Sequence, residues 1–280
     1  MESRLWSIVL QELPPHDRDR GPFVYDTRTV LVVTLWAVLH DRPFSWACRQ
    51  ESWPERLCPR HLPDASTLSR RRRRPEIIAA IERALRRLGE RLAPCSRDAA
   101  IDSRPMVVGG ASKDADAPAG RGVGGFSRGY RAHMLVDCTG VVRGLRVTPI
   151  NVNERLPARE LIADAPDAMQ RIVGDANYDS VPLHEIARSH GRRLYTPIRS
   201  GRVGRRANPR RLLLLRLLAS GPGRAALHAR DGIERVFARM SNIACGLKPL
   251  PAWIRGVERV TLWIHAKILI YHAYLLTKTE

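Results

Sequence analysis

The sequence predicts an α/β protein: a mixed sheet flanked by helices, preceded by an all-helical domain. Three observations point there. Apolar residues recur at helical spacing up to about residue 93, the pattern turns to alternation from Ala99, and further on short apolar runs alternate with amphipathic stretches. At 280 residues the chain can form one large or two modest domains with real cores.

In the N-terminal part, "RTVLVVTLWAVLHDRPFSWAC" reads as a helix that stops at Arg42-Pro43, followed by another. "LPDASTLSRRRRRPEIIAAIERALRRLGERL" reads as two more, the first capped by Asp64 or Ser66, the second begun by Pro75. Ile77, Ile78, Ile81, Leu85, Leu88 and Leu92 mark the buried face of the second. "APCSRD" is a boundary, dividing a helical domain of residues 1–95 from a second domain of residues 96–280.

The second domain opens with "AAIDSRPMVV", a strand carrying Asp102. The glycine-rich stretch from Gly109 to Gly129 reads as a mobile loop; it lacks the Gly-Lys-Ser/Thr ending of a phosphate-binding loop. "YRAHMLVDCTGVVRGLRVTPI" alternates and turns at Thr139-Gly140, a hairpin. "NERLPARELIADAP" is a helix, "RIVGDANYDS" a strand, "VPLHEIARSHG" a helix and "RRLYTPIRS" a strand. A basic linker, "GRVGRRANPRR", leads to "LLLLRLLASG", and "HARDGIERVFARMSN" is a helix holding Glu234. The stretch from Val257 closes the domain as a buried helix, because Glu258, Arg259, His265, Lys267 and His272 interrupt its apolar run.

Strand, strand, strand, helix, strand, helix, strand, helix is the ribonuclease H-like order. Acids then sit on the first strand (Asp102), at the end of the fourth (Asp175) and on a late helix (Glu234). Such a fold brings them to one edge of the sheet. Three oxygen ligands suit a hard cation, Mg²⁺ or Mn²⁺, and a metal pair about 4 Å apart stabilises both the attacking and the leaving oxygen of a phosphodiester. A capping or salt-bridged Asp175 fits the pattern as well. Asp179, with Ser180, reads as the cap of the following helix, and His133 as structural.

Charge narrows the partners. The formal net charge is +19, and 43 of the 47 basic residues are arginine, whose fork takes phosphate bidentately. Nucleic acid comes first and a membrane surface second. The five cysteines are scattered, with no Cys-x-x-Cys, and read as reduced thiols of a cytoplasmic protein. Glu2 and Arg4 argue against a secretory leader.

The motifs "AIDSRPM", "VGGASKDADAPAGRGVGGFSRGYRAHM", "NVNERLPARELI", "GDANYDS" and "RDGIERVFARM" resemble those of bacterial insertion-sequence transposases of the DDE class, and "LHDRPFSWACRQESWP" and "LPDASTLSRR" resemble the N-terminal part of such proteins. The likeness covers nearly the whole chain. It implies Asp102, Asp175 and Glu234 as a catalytic, metal-binding triad for Mg²⁺ or Mn²⁺. It implies cleavage at the terminal inverted repeats of a mobile element, joining of the 3′ ends to target DNA, and a homodimer on DNA in the bacterial cytoplasm, at the nucleoid. The arginines expected on DNA are Arg70, Arg71, Arg72, Arg73 and Arg74, after a "DASTLS" turn, together with Arg131, Arg230 and Arg235. Two positions depart from the wider class: Leu227 replaces a tyrosine seven residues before the glutamate, and Ser241 replaces a lysine seven after it. A DNA-binding relic or repressor, and a metal-dependent nuclease without strand transfer, are the other readings of the same residues.

Overall fold

The computed structural model describes residues 2–16, 24–109, 112–122, 124–197, 209–228, 231–243 and 246–279. In chain order the elements are α1 (Glu2–Glu12), α2 (Thr27–Leu39), α3 (Ala65–Arg71), α4 (Pro75–Leu92), β1 (Asp98–Val107), β2 (Ala119–Gly122), β3 (Gly125–Asp137) and β4 (Val142–Pro149). They continue as α5 (Arg155–Ala163), β5 (Arg171–Val173), α6 (Val181–Ser189), β6 (Arg193–Tyr195), α7 (Pro209–Ala219), α8 (Gly221–His228), α9 (Asp231–Asn242) and α10 (Val257–Thr279). Two compact units result: Met1–Leu92 with Gly109–Asp114 and Asn242–Glu280, and Ala93–Val108 with Ala115–Ser241.

The first unit is helical. Apolar nearly all round, α2 is buried from Val30 to Val38, and Asp26 caps it by accepting from the Thr29 amide at 2.8 Å. Trp36 stacks on Trp53 with centroids 4.7 Å apart, and Trp6 meets Trp36 edge-on at 5.0 Å. Asp64 caps α3 and Pro75 opens α4, as the sequence implies. The helix expected after Pro43 is instead a series of turns, with 3-10 turns at Gln50–Ser52 and Glu55–Leu57. Side chains take the carbonyls a helix would need: Ser52 Oγ donates to Trp46 O at 2.7 Å and Trp53 Nε1 to Ala47 O at 2.8 Å.

Helix α10, which the sequence assigns to the second domain, packs on α4, α1 and α2. Its Lys267 is buried with Nζ 2.5 Å from Asp41 Oδ1. Just ahead of it, the Gly256 amide donates to both carboxylate oxygens of buried Asp114, at 3.1 and 3.2 Å. This places a negative charge at the helix N-terminus. Among the described residues no helix is long and apolar enough to cross a membrane.

The second unit is built on a mixed sheet of order β2-β3-β1-β5-β6, with β4 also paired to β3. β1 runs antiparallel to β3 and parallel to β5, and β5 runs parallel to β6. The β3–β4 hairpin turns at Gly140, whose φ of +87° suits glycine. Helices α5 and α6 cover one face, where Ile101, Leu135, Leu161, Ile162, Ile172 and Leu194 form the core. On the other, Val173 and Tyr195 pack with Leu218. The glycine-rich stretch is not all loop. β2 pairs with the start of β3 from Ala119↔Arg128 to Gly122↔Gly125.

Candidate active site

The parallel register of β1 and β5 positions the first two acids. Asp98, Ala99 and Ala100 lie opposite Arg171, Ile172 and Val173. The same offset, carried two residues past the end of β5, would set Asp102 opposite Asp175. Side chains alternate along a strand. Ile101 enters the α5–α6 core, so Asp102 takes the opposite face with Ala100 and Arg104. Both aspartates are half-buried.

Asp175 stands where the chain leaves the sheet. The Gly174 amide bonds Tyr195 O at 2.9 Å, and Asp175 Oδ1 then accepts from the Asn177 amide at 2.8 Å, opening the 3-10 turn Ala176–Tyr178. The carboxylate that ends the strand therefore also caps the turn after it. Asp102 Oδ1 accepts from the Ser103 amide at 2.7 Å. The cap expected of Asp179 is not made in that form: Ser180 occupies the N-cap of α6, and Asp179 is buried with Oδ1 3.7 Å from His184 Nε2.

Sequence reasoning missed Glu154. Its carboxylate accepts from Ser103 Oγ at 2.8 Å, Arg131 Nη1 at 2.5 Å and Tyr178 OH at 3.4 Å. Tyr178 is fully buried; burial first, then the charges of Glu154, Asp102 and Asp175, push its phenol well above the ordinary value, so it stays neutral. Of these carboxylates, Glu154 accepts the Tyr178 hydroxyl directly. An acid directly before a helix looks like a cap, and nothing local in "NVNERLP" signals a partner 23 residues upstream.

The same network revises Arg131. It is buried, paired to Glu154 and bonded to Arg121 O, so its guanidinium already has partners inside the protein. His133 beside it is structural: Nε2 lies 2.9 Å from Thr148 Oγ1, and burial, then Arg131, push the imidazole down to about 3.

Glu234 is exposed on α9, while Ile233, Val236 and Met240 are buried. Arg104 Nη1 ties this helix to β1 by donating to Phe237 O at 2.9 Å and Ser241 Oγ at 2.5 Å. Ser241 lies two turns beyond Glu234, on the same stripe. A guanidinium therefore stands beside the position that lacks the lysine. Among the described residues no three His, Cys, Asp or Glu side chains are grouped as a metal ion requires. The pairing of β1 with β5 points Asp102 toward Asp175, and among the described residues no cluster with Glu234 is completed.

Of the remaining arginines, Arg70, Arg73, Arg74 and Arg235 are exposed, and Arg230 lies outside the described residues. Arg71 and Arg72 turn inward. Arg71 meets Glu76 at 3.5 Å and Tyr25 O at 3.4 Å, and Arg72 lies over the Phe44 ring at 4.0 Å. They leave three exposed arginines of the run of five.

A family model, the transposase DDE domain, matches residues 93–272. No curated protein and no solved structure matches the chain.

Proposed function

The chain belongs to the DDE transposases, and from that premise we propose that it binds the terminal repeats of its own element, cleaves phosphodiesters there and joins the exposed 3′ ends to target DNA. The family carries the transposase-type activity, DNA as partner and a ribonuclease H-like catalytic domain. One observation supports the finer reading: β1 pairs parallel with β5 in an offset that points Asp102 toward Asp175, just past the end of β5, on the face that Arg104 ties to the helix of Glu234.

Asp102 and Asp175 offer half-buried carboxylate oxygens and Glu234 an exposed one on α9, and oxygen donors of this kind suit a hard divalent cation, Mg²⁺ or Mn²⁺. Asp102, Asp175 and Glu234 would hold it, and when bound it supplies positive charge to the attacking and leaving oxygens. The chain's own groups hold the acids. Asn177 and the Ser103 amide orient the two aspartates. Arg104 presents α9 to their face, and neutral Tyr178 backs them without adding charge. Exposed Arg70, Arg73, Arg74 and Arg235 would contact the DNA backbone, with two copies of the chain holding two element ends in the cytoplasm.

The test is incubation of the purified protein with labelled element ends and Mg²⁺ or Mn²⁺, scored for nicks and joined products, beside Asp175→Asn. The amide keeps the carboxylate's shape and its bond from the Asn177 amide but loses the charge. Cleavage should fall at least about 10²-fold, the cost of losing one oxyanion stabiliser, while end binding stays near wild type. Binding without cleavage by the wild type would favour the relic. Nicks without joined products would favour the plain nuclease. An Asp175→Asn variant that cuts normally would remove Asp175 from the site.

A further inference from the structure

Arg72, just past the end of α3, is 7% exposed. Its Nε and Nη1 are buried and, among the described residues, donate to no acceptor. Burial first, then the neighbouring cations Arg259 and Arg73, bring its guanidinium down to about 10, still charged at neutral pH. Stacking on Phe44 offsets part of the cost of burying this charge. Among the described residues the rest is left without a counter-charge, an expensive arrangement unless something else supplies one.

These groups line a cleft of about 300 Å³ between α3–α4 and the start of α10. Arg72, Arg73 and Arg259 provide its charge, and Ile78 and Leu262 an apolar wall. Two acids also line it. Glu82 is engaged by His265 Nε2 at 3.4 Å, and Glu258 is exposed to water. Three guanidinium forks around a small cleft suit an oxyanion with several acceptor oxygens. Exposed Arg70 and Arg74 nearby in sequence, and a net charge of +19, favour one that belongs to a polyanion.

We infer that the Arg72–Arg73–Arg259 cleft binds a phosphate group, and that in the working protein this is a backbone phosphate of DNA. The DNA source rests on the transposase reading; the phosphate site does not.

The experiment uses the full chain with Arg72→Met, Arg259→Gln and, as a control of equal charge change, Arg86→Gln on the exposed side of α4. Met keeps apolar contact with Phe44 and removes a buried charge, so folding should survive. Should it not, Arg259→Gln, at a half-buried position, carries the test. Thermal unfolding is followed with inorganic phosphate against chloride of matched ionic strength. The wild type and Arg86→Gln should gain roughly 3–5 °C at ten times Kd, and the two cleft variants should gain nothing. In the second arm, binding to a duplex is measured by anisotropy at fixed salt. A loss of about tenfold or more beyond the control in the cleft variants assigns the phosphate to DNA. Unchanged DNA affinity with a lost phosphate response keeps the site, assigns it to free phosphate or a small phosphorylated molecule, and leaves the Asp175 cleavage result standing separately. A phosphate response absent from the wild type, or surviving in both cleft variants, overturns the site.

Discussion

Glu154 neutralises Arg131, whose side chain is 11% exposed, and that fixes what its loss would do. Glu154→Gln keeps acceptors for Ser103 and Tyr178 but leaves a buried guanidinium without counter-charge. Breaking such a pair costs about 3–5 kcal/mol when both partners are deeply buried. Glu154 is 21% exposed, which puts the expected loss nearer about 2–3 kcal/mol. Urea unfolding measures it, and Arg131→Met added to Glu154→Gln should recover most of the loss. A double variant no more stable than Glu154→Gln would show that the pairing is not the cause. His133 gives the residue-scale pH dependence. Its folded value, about 3, lies below the ordinary 6.5, so between those values the unfolded chain takes up the proton and the folded one does not. Stability is complete above 6.5 and falls as pH drops, by about 2 kcal/mol at pH 5 from this residue alone. Urea midpoints at pH 7.5 and 5.0 should converge in His133→Asn by that amount.

Gly129 is where the central pair of strands is most sensitive. A Cβ there would sit 2.3 Å from Met106 O, and backbone cannot swing aside as a side-chain tip can. Gly129→Ala should therefore push β3 off β1 and cost at least about 1–3 kcal/mol, read as a lower urea midpoint, with cleavage lost alongside because Asp102 lies on β1, the strand that loses its partner. An alanine that leaves both unchanged would mean the sheet gives more easily than its register implies. Elements of this kind are legible when their neighbours are local. The buried stripe of α4, the alternation of β1 and the Thr139-Gly140 turn all follow from short spacings. The segment after Pro43 is not, because indoles and hydroxyls compete for its carbonyls. The pairing of β2 is hidden too, since glycines carry no hydrophobic pattern. In the site, a strand that runs into Asp175 announces an acid at the sheet edge, and Asp102 follows from the strand order. Which charged groups turn inward does not follow. Arg131, Arg71 and Arg72 look like surface arginines until Glu154, Tyr25 O and Phe44 arrive from elsewhere in the chain.

For the whole molecule, the packing of α10 decides how DNA recognition can be dissected. Fourteen residues of that helix are buried, and the elements it packs on are α4, α1 and α2. Deleting residues 1–92 would take Asp41 from Lys267 and Phe44 from Trp263 and expose a long apolar face. Such a fragment should aggregate, visible as light scattering, and cannot report on end specificity. Point substitutions can. A net charge of +19 makes association with DNA strongly electrostatic, because each phosphate neutralised releases condensed counterions. The observed binding constant should fall steeply with salt, its logarithm changing by about −0.9 per log unit of salt for each phosphate contacted. Arg70, Arg73 and Arg74 are the exposed members of the arginine run. If all three touch backbone, changing them together to glutamine should flatten the slope by up to about 2.7. The charge-matched control is three exposed arginines of α4, Arg83, Arg86 and Arg87, where the slope should change less. Arg87 is paired to Glu12 and is the weakest of these, so the control is read with and without it. Equal flattening by both sets would mean that the protein holds DNA by its overall charge and that the arginine run after α3 makes no backbone contact of its own.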